Sequence, residues 1–103
     1  MKPLIQNAVN KTALAGKTIL ITGASSGLGR TLAYECAQYG ATVILNGTNI
    51  DALNQTYDHI ISSDNPEPAI LELDLRKGEE HEFKVMANVI QDNVGELHGL
   101  IHC

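Results

Sequence analysis

No apolar run in this 103-residue sequence approaches the ~18 residues that a membrane-spanning helix needs. Its opening stretch, MKPLIQNAVNKTALAG, is broken by Gln6, Asn7, Asn10 and Lys11. Residues 1–14 therefore read as an exposed lead-in with no secretion signal. Positive charge is scarce as well: 7 Lys and Arg face 12 Asp and Glu, a net charge of -5. The basic residues stand singly, so there is no stripe for a nucleic-acid backbone or an anionic membrane surface. Cysteine occurs twice, at Cys36 and Cys103, in neither a paired framework nor a CxxC spacing. That excludes a disulfide scaffold and points to a reducing cytoplasm. Repeats, low-complexity tracts and linkers are absent. With 44% hydrophobic and 18% charged residues, the chain describes one globular unit, too short for a second complete domain.

What the sequence does contain is an alternation of β-rich runs and helical patterns. Strands are expected at 18–22, 42–45, 69–73 and within 97–103, and helices at 28–39, 49–61 and 79–94. In the first helix Leu28, Leu32, Cys36 and Tyr39 recur at helical spacing, and Gly40 stands where a C-terminus favours a left-handed residue. Asn49 can cap the second helix, whose Ile50, Leu53, Tyr57 and Ile60 draw an apolar stripe. Ser62 to Pro66 reads as a loop. The third helix carries Glu79 and Glu80 in its first turn, directs Phe83, Met86, Ile90 and Val94 inward, and ends at Gly95. Strands alternating with such helices imply right-handed crossovers and a parallel α/β sheet covered on both faces.

Between the first strand and the first helix lies TGASSGLG, residues 22–29. A glycine-rich turn there aims backbone N–H groups at an anion, and the positive end of the helix dipole adds to the attraction, which suits a phosphate or pyrophosphate. Gly23 would permit the tight turn, Gly27 the close approach of a ligand and Gly29 the close packing of helix on strand. Ser25 and Ser26 would offer hydroxyl donors. A ligand-free connection is the alternative, but three glycines at offsets 0, 4 and 6 exceed what a turn needs. A nucleoside-triphosphate loop is excluded: in the nearest match, ASSGLGRT at 24–31, the first glycine is missing and Arg30 replaces the lysine.

TGASSGLGR resembles the TGxxxGxG cofactor motif of the short-chain dehydrogenase/reductase family. GATVIL at 40–45 is similar to that family's second strand, LDL at 73–75 to the end of its third, and GELHGLIHC at 95–103 to the approach to its fourth. The resemblance covers roughly residues 15–103 and implies a partial Rossmann-like dinucleotide-binding domain: an incomplete doubly wound, three-layer fold. Its four strands would lie in the order 3-2-1-4, with two crossover helices on one face and one on the other. It further implies that Asp74, with Leu75 beside it, meets the adenine, and that Leu28 lies at the cofactor within the glycine motif. Cys103 joins this set because His102 and Cys103 occupy the places of the two Asn residues of the family's NNAG motif.

The cofactor implied is NADP or NAD. Its ribose specificity would rest on GTN at 47–49, where Gly47 takes the place of the usual acid and Thr48 a place often held by Arg in NADP-dependent members. Without the carboxylate NAD loses its advantage, and Thr48 and Asn49 can donate to phosphate oxygens, so NADP is favoured; a plain turn is the alternative. The family's catalytic Ser and YxxxK pair have no counterpart, since Tyr34, Tyr39 and Tyr57 precede Gln38, Val43 and Ile61 at that spacing. Hydride transfer to or from a carbonyl or alcohol is therefore expected of the complete family fold, with this chain supplying binding and no catalytic residue. His98 and His102 are read as structural because no third metal ligand is evident. Apolar Leu97, Leu100 and Ile101 suggest self-association or the seat of a missing C-terminal half. A non-enzymatic dinucleotide sensor, or a partner-binding module using the exposed fourth strand, is the alternative.

Overall fold

A computed structural model of the chain describes residues 13–25, 27–72 and 80–103. It contains β1 (Thr18–Ile21), α1 (Gly27–Gln38), β2 (Thr42–Gly47), α2 (Ile50–Ser62), β3 (Ala69–Glu72), α3 (Glu80–Asn93) and β4 (Gly99–Ile101). The strands form one sheet in the order β3-β2-β1-β4, every pair parallel, with Leu20 opposite both Ile44 and Leu100. The expected order and the expected crossovers are present.

Alternation along the strands divides the core in two. On one face Ile21, Val43 and Leu45 pack with Ala33 and Ala37 of α1 and Leu53 and Ile60 of α2. On the other, Leu20 and Ile44 meet Ile90 of α3, flanked by half-buried Met86 and Val94. Two helices thus cover one face and one the other. Both faces being dry explains the near-continuous apolar runs TILI and VIL, which a one-sided sheet would not need.

Local signals fix the helix ends. Gly40 adopts φ +95°, its N–H reaches Ala37 O and that of Ala41 reaches Cys36 O, the paired bonds that close a helix through a left-handed glycine. Asn49 Oδ1 accepts from Ala52 N at 3.1 Å and caps α2. Leu14 donates its N–H to Tyr39 O, so the chain just ahead of β1 is tied to the end of α1.

The buried face of α1 departs from expectation. Gly29, Ala33 and Ala37 face inward, whereas Leu32 and Cys36 are half-buried and Leu28 is 68% exposed. Small residues win that face because α1 lies so close to the sheet and the turn that larger side chains must splay to its flanks. The inward placement expected of Phe83, and the roles of Glu79 and Glu80, fall outside what the structure describes.

Candidate functional site

β1 ends at Ile21, and the chain turns through Gly23 at φ +65° and Gly27 at φ +60° before α1 begins. Both angles lie in the left-handed region that L-residues avoid. The glycines nevertheless differ in what surrounds them. A methyl group at Gly29 would overlap the Gly23 carbonyl oxygen and stand 2.7 Å from its carbon, so there the turn and helix touch. At Gly27 an added methyl would meet no described residue within 4 Å. That space lies beside the first turn of α1, whose N–H groups have no intrahelical acceptor. The result is a backbone-lined, positively polarised place of the kind a phosphate fits.

Three anchors hold the turn against the sheet. Ala24 N donates to Asn46 O at 2.9 Å, and Thr22 N to Ile101 O at 2.9 Å. Asn46 is itself buried at the end of β2 and donates through Nδ2 to Leu71 O on β3. Thr22 Oγ1 accepts from Cys103 N at 3.0 Å and lies 2.9 Å from His102 Nδ1. With one lone pair taken by the amide, the hydroxyl proton is well placed for that imidazole nitrogen.

The turn and the end of β2 converge. A methyl at Gly47 would stand 3.3 Å from Leu53 Cδ2 and 3.5 Å from Ser25 Oγ, so the Ser25 hydroxyl lies in the space an acidic side chain at position 47 would enter. Thr48 and Asn49 follow on the exposed rim, Asn49 committed through Oδ1 to the α2 cap and retaining its amide donors. On the other side, the Cys103 backbone carbonyl approaches to 3.0 Å of where a Gly23 methyl would sit. The fold thus gathers Gly23, Ser25, Gly27, Leu28, Gly29, Thr48, Asn49 and Cys103 around the carboxyl ends of β1, β2 and β4. Ser26, Asp74 and Leu75 lie outside the described residues.

Two residues at this site escape a reading of motifs. Arg30 Nε donates to Thr56 Oγ1 at 3.1 Å, and its Nη2 to Ser25 O at 2.6 Å and Ala52 O at 3.3 Å. Thr56, fully buried, sits 3.2 Å from Ala24 O. A faint signal was present: Thr56 interrupts the inward stripe between Leu53 and Ile60, and Asn46 likewise ends an apolar strand.

Among the described residues no group of three or more His, Cys, Asp and Glu could hold a metal ion. The two histidines bond separately, His98 Nδ1 accepting from Thr18 N at 2.9 Å. Cys36 lies off the site; burial, aided by Glu35, raises its thiol pKa. A cleft of about 350 Å³ between β3 and α3 is lined by apolar residues including Ile44, Ala69, Leu71, Val89 and Ile90, and it shares no residue with the turn.

Known proteins share this fold. The family model described as short chain dehydrogenase matches residues 17–103. The uncharacterized oxidoreductase YciK of Escherichia coli K12 is 39% identical over 89 residues, covering 86% of this chain and 35% of that protein. A short chain dehydrogenase from Shigella flexneri 2a, solved in complex with NADP, superposes with a TM-score of 0.85 at 37% identity over 91% of this chain and 39% of its own. A counterpart from Escherichia coli CFT073, complexed with NADPH, gives the same four values. The chain spans between about a third and two fifths of the length of these relatives. By fold, by the glycine turn and by a match spanning nearly all of its length, the chain belongs to the short-chain dehydrogenase family.

Proposed function

We propose that this chain is the NADP(H)-binding portion of an oxidoreductase that moves hydride between a nicotinamide and a carbonyl or alcohol. One observation carries the reading: Gly27 leaves open space beside the first turn of α1, at the carboxyl end of β1, while Gly29 draws the helix onto the turn. Backbone N–H groups of that turn, with the Ser25 and Ser26 hydroxyls, would hold the pyrophosphate. Asp74 and Leu75 would meet the adenine, and Leu28 and Cys103 would flank the nicotinamide half. When bound, the nicotinamide supplies the hydride chemistry; the residues of this chain bind and orient.

Preference for the 2′-phosphate follows from Gly47. A carboxylate there would accept from the ribose hydroxyls and repel a phosphate; glycine does neither, and Ser25, Thr48 and Asn49 offer donors nearby. The NADP and NADPH complexes of the two solved relatives support this choice. Among the described residues no helix is long and apolar enough to cross a membrane, and two unpaired cysteines suit the reducing cytoplasm.

Calorimetric titration tests the assignment. NADPH should bind more tightly than NADH, and Thr48→Arg should strengthen NADPH binding about tenfold by adding a bidentate charged donor. Tighter binding of NADH would overturn the NADP assignment. Lacking a Tyr four residues before a Lys, the chain should leave nicotinamide absorbance unchanged when mixed with NADPH and a panel of aldehydes and ketones.

A further inference from the structure

We infer that Arg30 and Thr56 are positioning residues for the cofactor, setting the phosphate turn from behind and coupling it to the start of α2. The inference rests on the dinucleotide reading of the site and deepens it. Both side chains spend their hydrogen bonds on backbone oxygens and on each other. Arg30 closes the first turn of α1 and Thr56 lies on the inward face of α2, 26 residues apart.

The bonds divide the work between them. One hydroxyl proton at Thr56 has two candidate acceptors at 3.2 Å, Ala24 O and Ala52 O. Arg30 Nη2 donates to Ala52 O, and Arg30 Nε fills a lone pair of the Thr56 oxygen. With Ala52 O served by the guanidinium, the hydroxyl proton is left for Ala24 O. The same Nη2 holds Ser25 O at 2.6 Å. Two successive carbonyls of the turn are thus drawn toward α2.

Drawing carbonyls backward aims amides forward. In a trans peptide the C=O and the following N–H point in opposite directions, so fixing Ala24 O on Thr56 turns the Ser25 N–H away from α2. Carbonyl oxygens facing a pyrophosphate would repel it, and an unbraced glycine turn can rotate its peptides freely. Arg30 places a full positive charge behind the turn, fixed through backbone oxygens, where it favours an anion without touching it. Because Ala52 also gives its N–H to the Asn49 cap, the network ends at the residues next to Thr48. The pair therefore braces the pyrophosphate place, while the ribose rim keeps its own hold through the Asn49 cap.

The experiment uses Thr56→Val, which keeps the shape and removes the hydroxyl, Thr56→Ser, which restores it, and Arg30→Lys, which keeps charge without the fork. NADPH and 2′-AMP, which lacks the pyrophosphate, are titrated by calorimetry, and thermal melts confirm folding. Thr56→Val and Arg30→Lys should each weaken NADPH about tenfold, the scale of one buried hydrogen bond. Binding of 2′-AMP should change less than twofold, and Thr56→Ser should restore NADPH to within twofold of the parent. Equal losses for both ligands, no loss in a folded Thr56→Val, or no rescue by Thr56→Ser would overturn the inference. Amide exchange of the ligand-free chain separates it from the functional reading. If the parent bound no dinucleotide, that reading would fail, and exchange at Ala24 and Ser25 at least tenfold faster in both weakening variants, with Leu20 and Leu45 unchanged, would still sustain the bracing. Unchanged exchange at the turn would overturn it.

Discussion

Replacing Gly29 with alanine sets two effects against each other. In an ordinary helix the change stabilises, because alanine exceeds glycine in helix propensity by up to about 1 kcal/mol. Here the new methyl would lie 2.7 Å from the Gly23 carbonyl carbon, about 0.7 Å inside the 3.4 Å at which ordinary contact begins, and would overlap the carbonyl oxygen. Neither partner is the end of a flexible side chain, so the turn must retreat from α1. Retreat by that distance stretches the 2.9 Å bond from Ala24 N to Asn46 O beyond useful length. Overpacking costs about 1–3 kcal/mol, and losing the bond about 0.5–1.5 kcal/mol more. The clash wins, by about 0.5–3.5 kcal/mol net. At roughly 4–8 °C per kcal/mol for a domain of this size, the melt should fall by at least about 2 °C, and NADPH affinity by more than tenfold as the amides leave register. Gly27→Ala is the matched control: the left-handed φ costs about 1–2 kcal/mol, yet among the described residues the methyl meets nothing within 4 Å. Its amide spectrum should remain native around Gly23 and Ala24 while the ligand is blocked. A Gly29→Ala chain that melts at or above the parent temperature and binds NADPH normally would refute the reasoning.

Ala33→Leu should destabilise by about 1–3 kcal/mol because Ala33 is fully buried against the sheet, whereas Leu28→Ala, at a position 68% exposed, should shift stability by less than about 0.5 kcal/mol; chemical denaturation compares them, and reversed magnitudes would restore the large-residue stripe as the inner face. Folding holds the proton on Cys36, since burial raises its pKa, so this stability is complete below the unfolded thiol's pKa and is lost as pH rises through the folded value. Cys36→Ala should consequently lose less stability than the parent between pH 7 and 10, and an equal loss would contradict it. Leu100 is 59% exposed, with Leu97, Val85 and Val89 each 38% or more exposed nearby in sequence or on the neighbouring element; concentration-dependent association in sedimentation, reduced by Leu100→Lys, is expected, and a monomer at all concentrations would count against it.

The strands, the helices between them and both glycine-dependent turns were legible because their causes are local, whereas the strand order was implied by the family resemblance. Gly40 and Asn49 act within five residues of themselves, and strand periodicity reports burial directly. The inner face of α1 was not legible in the same way: Leu28, Leu32 and Cys36 keep helical spacing, but the choice between them and Gly29, Ala33 and Ala37 depends on how closely the helix approaches the sheet. Arg30 was hidden for a related reason. Its partners at Ala52 and Thr56 lie 22 and 26 residues away, and nothing in its neighbours separates a brace from a solvated surface charge.

The two histidines that flank β4 have a consequence beyond their own bonds. β4 pairs through only Gly99, Leu100 and Ile101, and a slip of two residues would keep every side chain on its own face, so apolar alternation does not oppose it. His98 and His102 do. Their Nδ1 atoms meet Thr18 N and the Thr22 hydroxyl, partners spaced four residues apart along β1 and its turn as the histidines are on either side of β4. Slipping two residues either way would bring Leu100 opposite one of those threonines, leaving the N–H of Thr18, a residue only 7% exposed, or the Thr22 hydroxyl without its imidazole. A spacing that on a helix would suggest a metal pair serves here as a ruler, measuring out the one alignment in which a three-residue strand can be read.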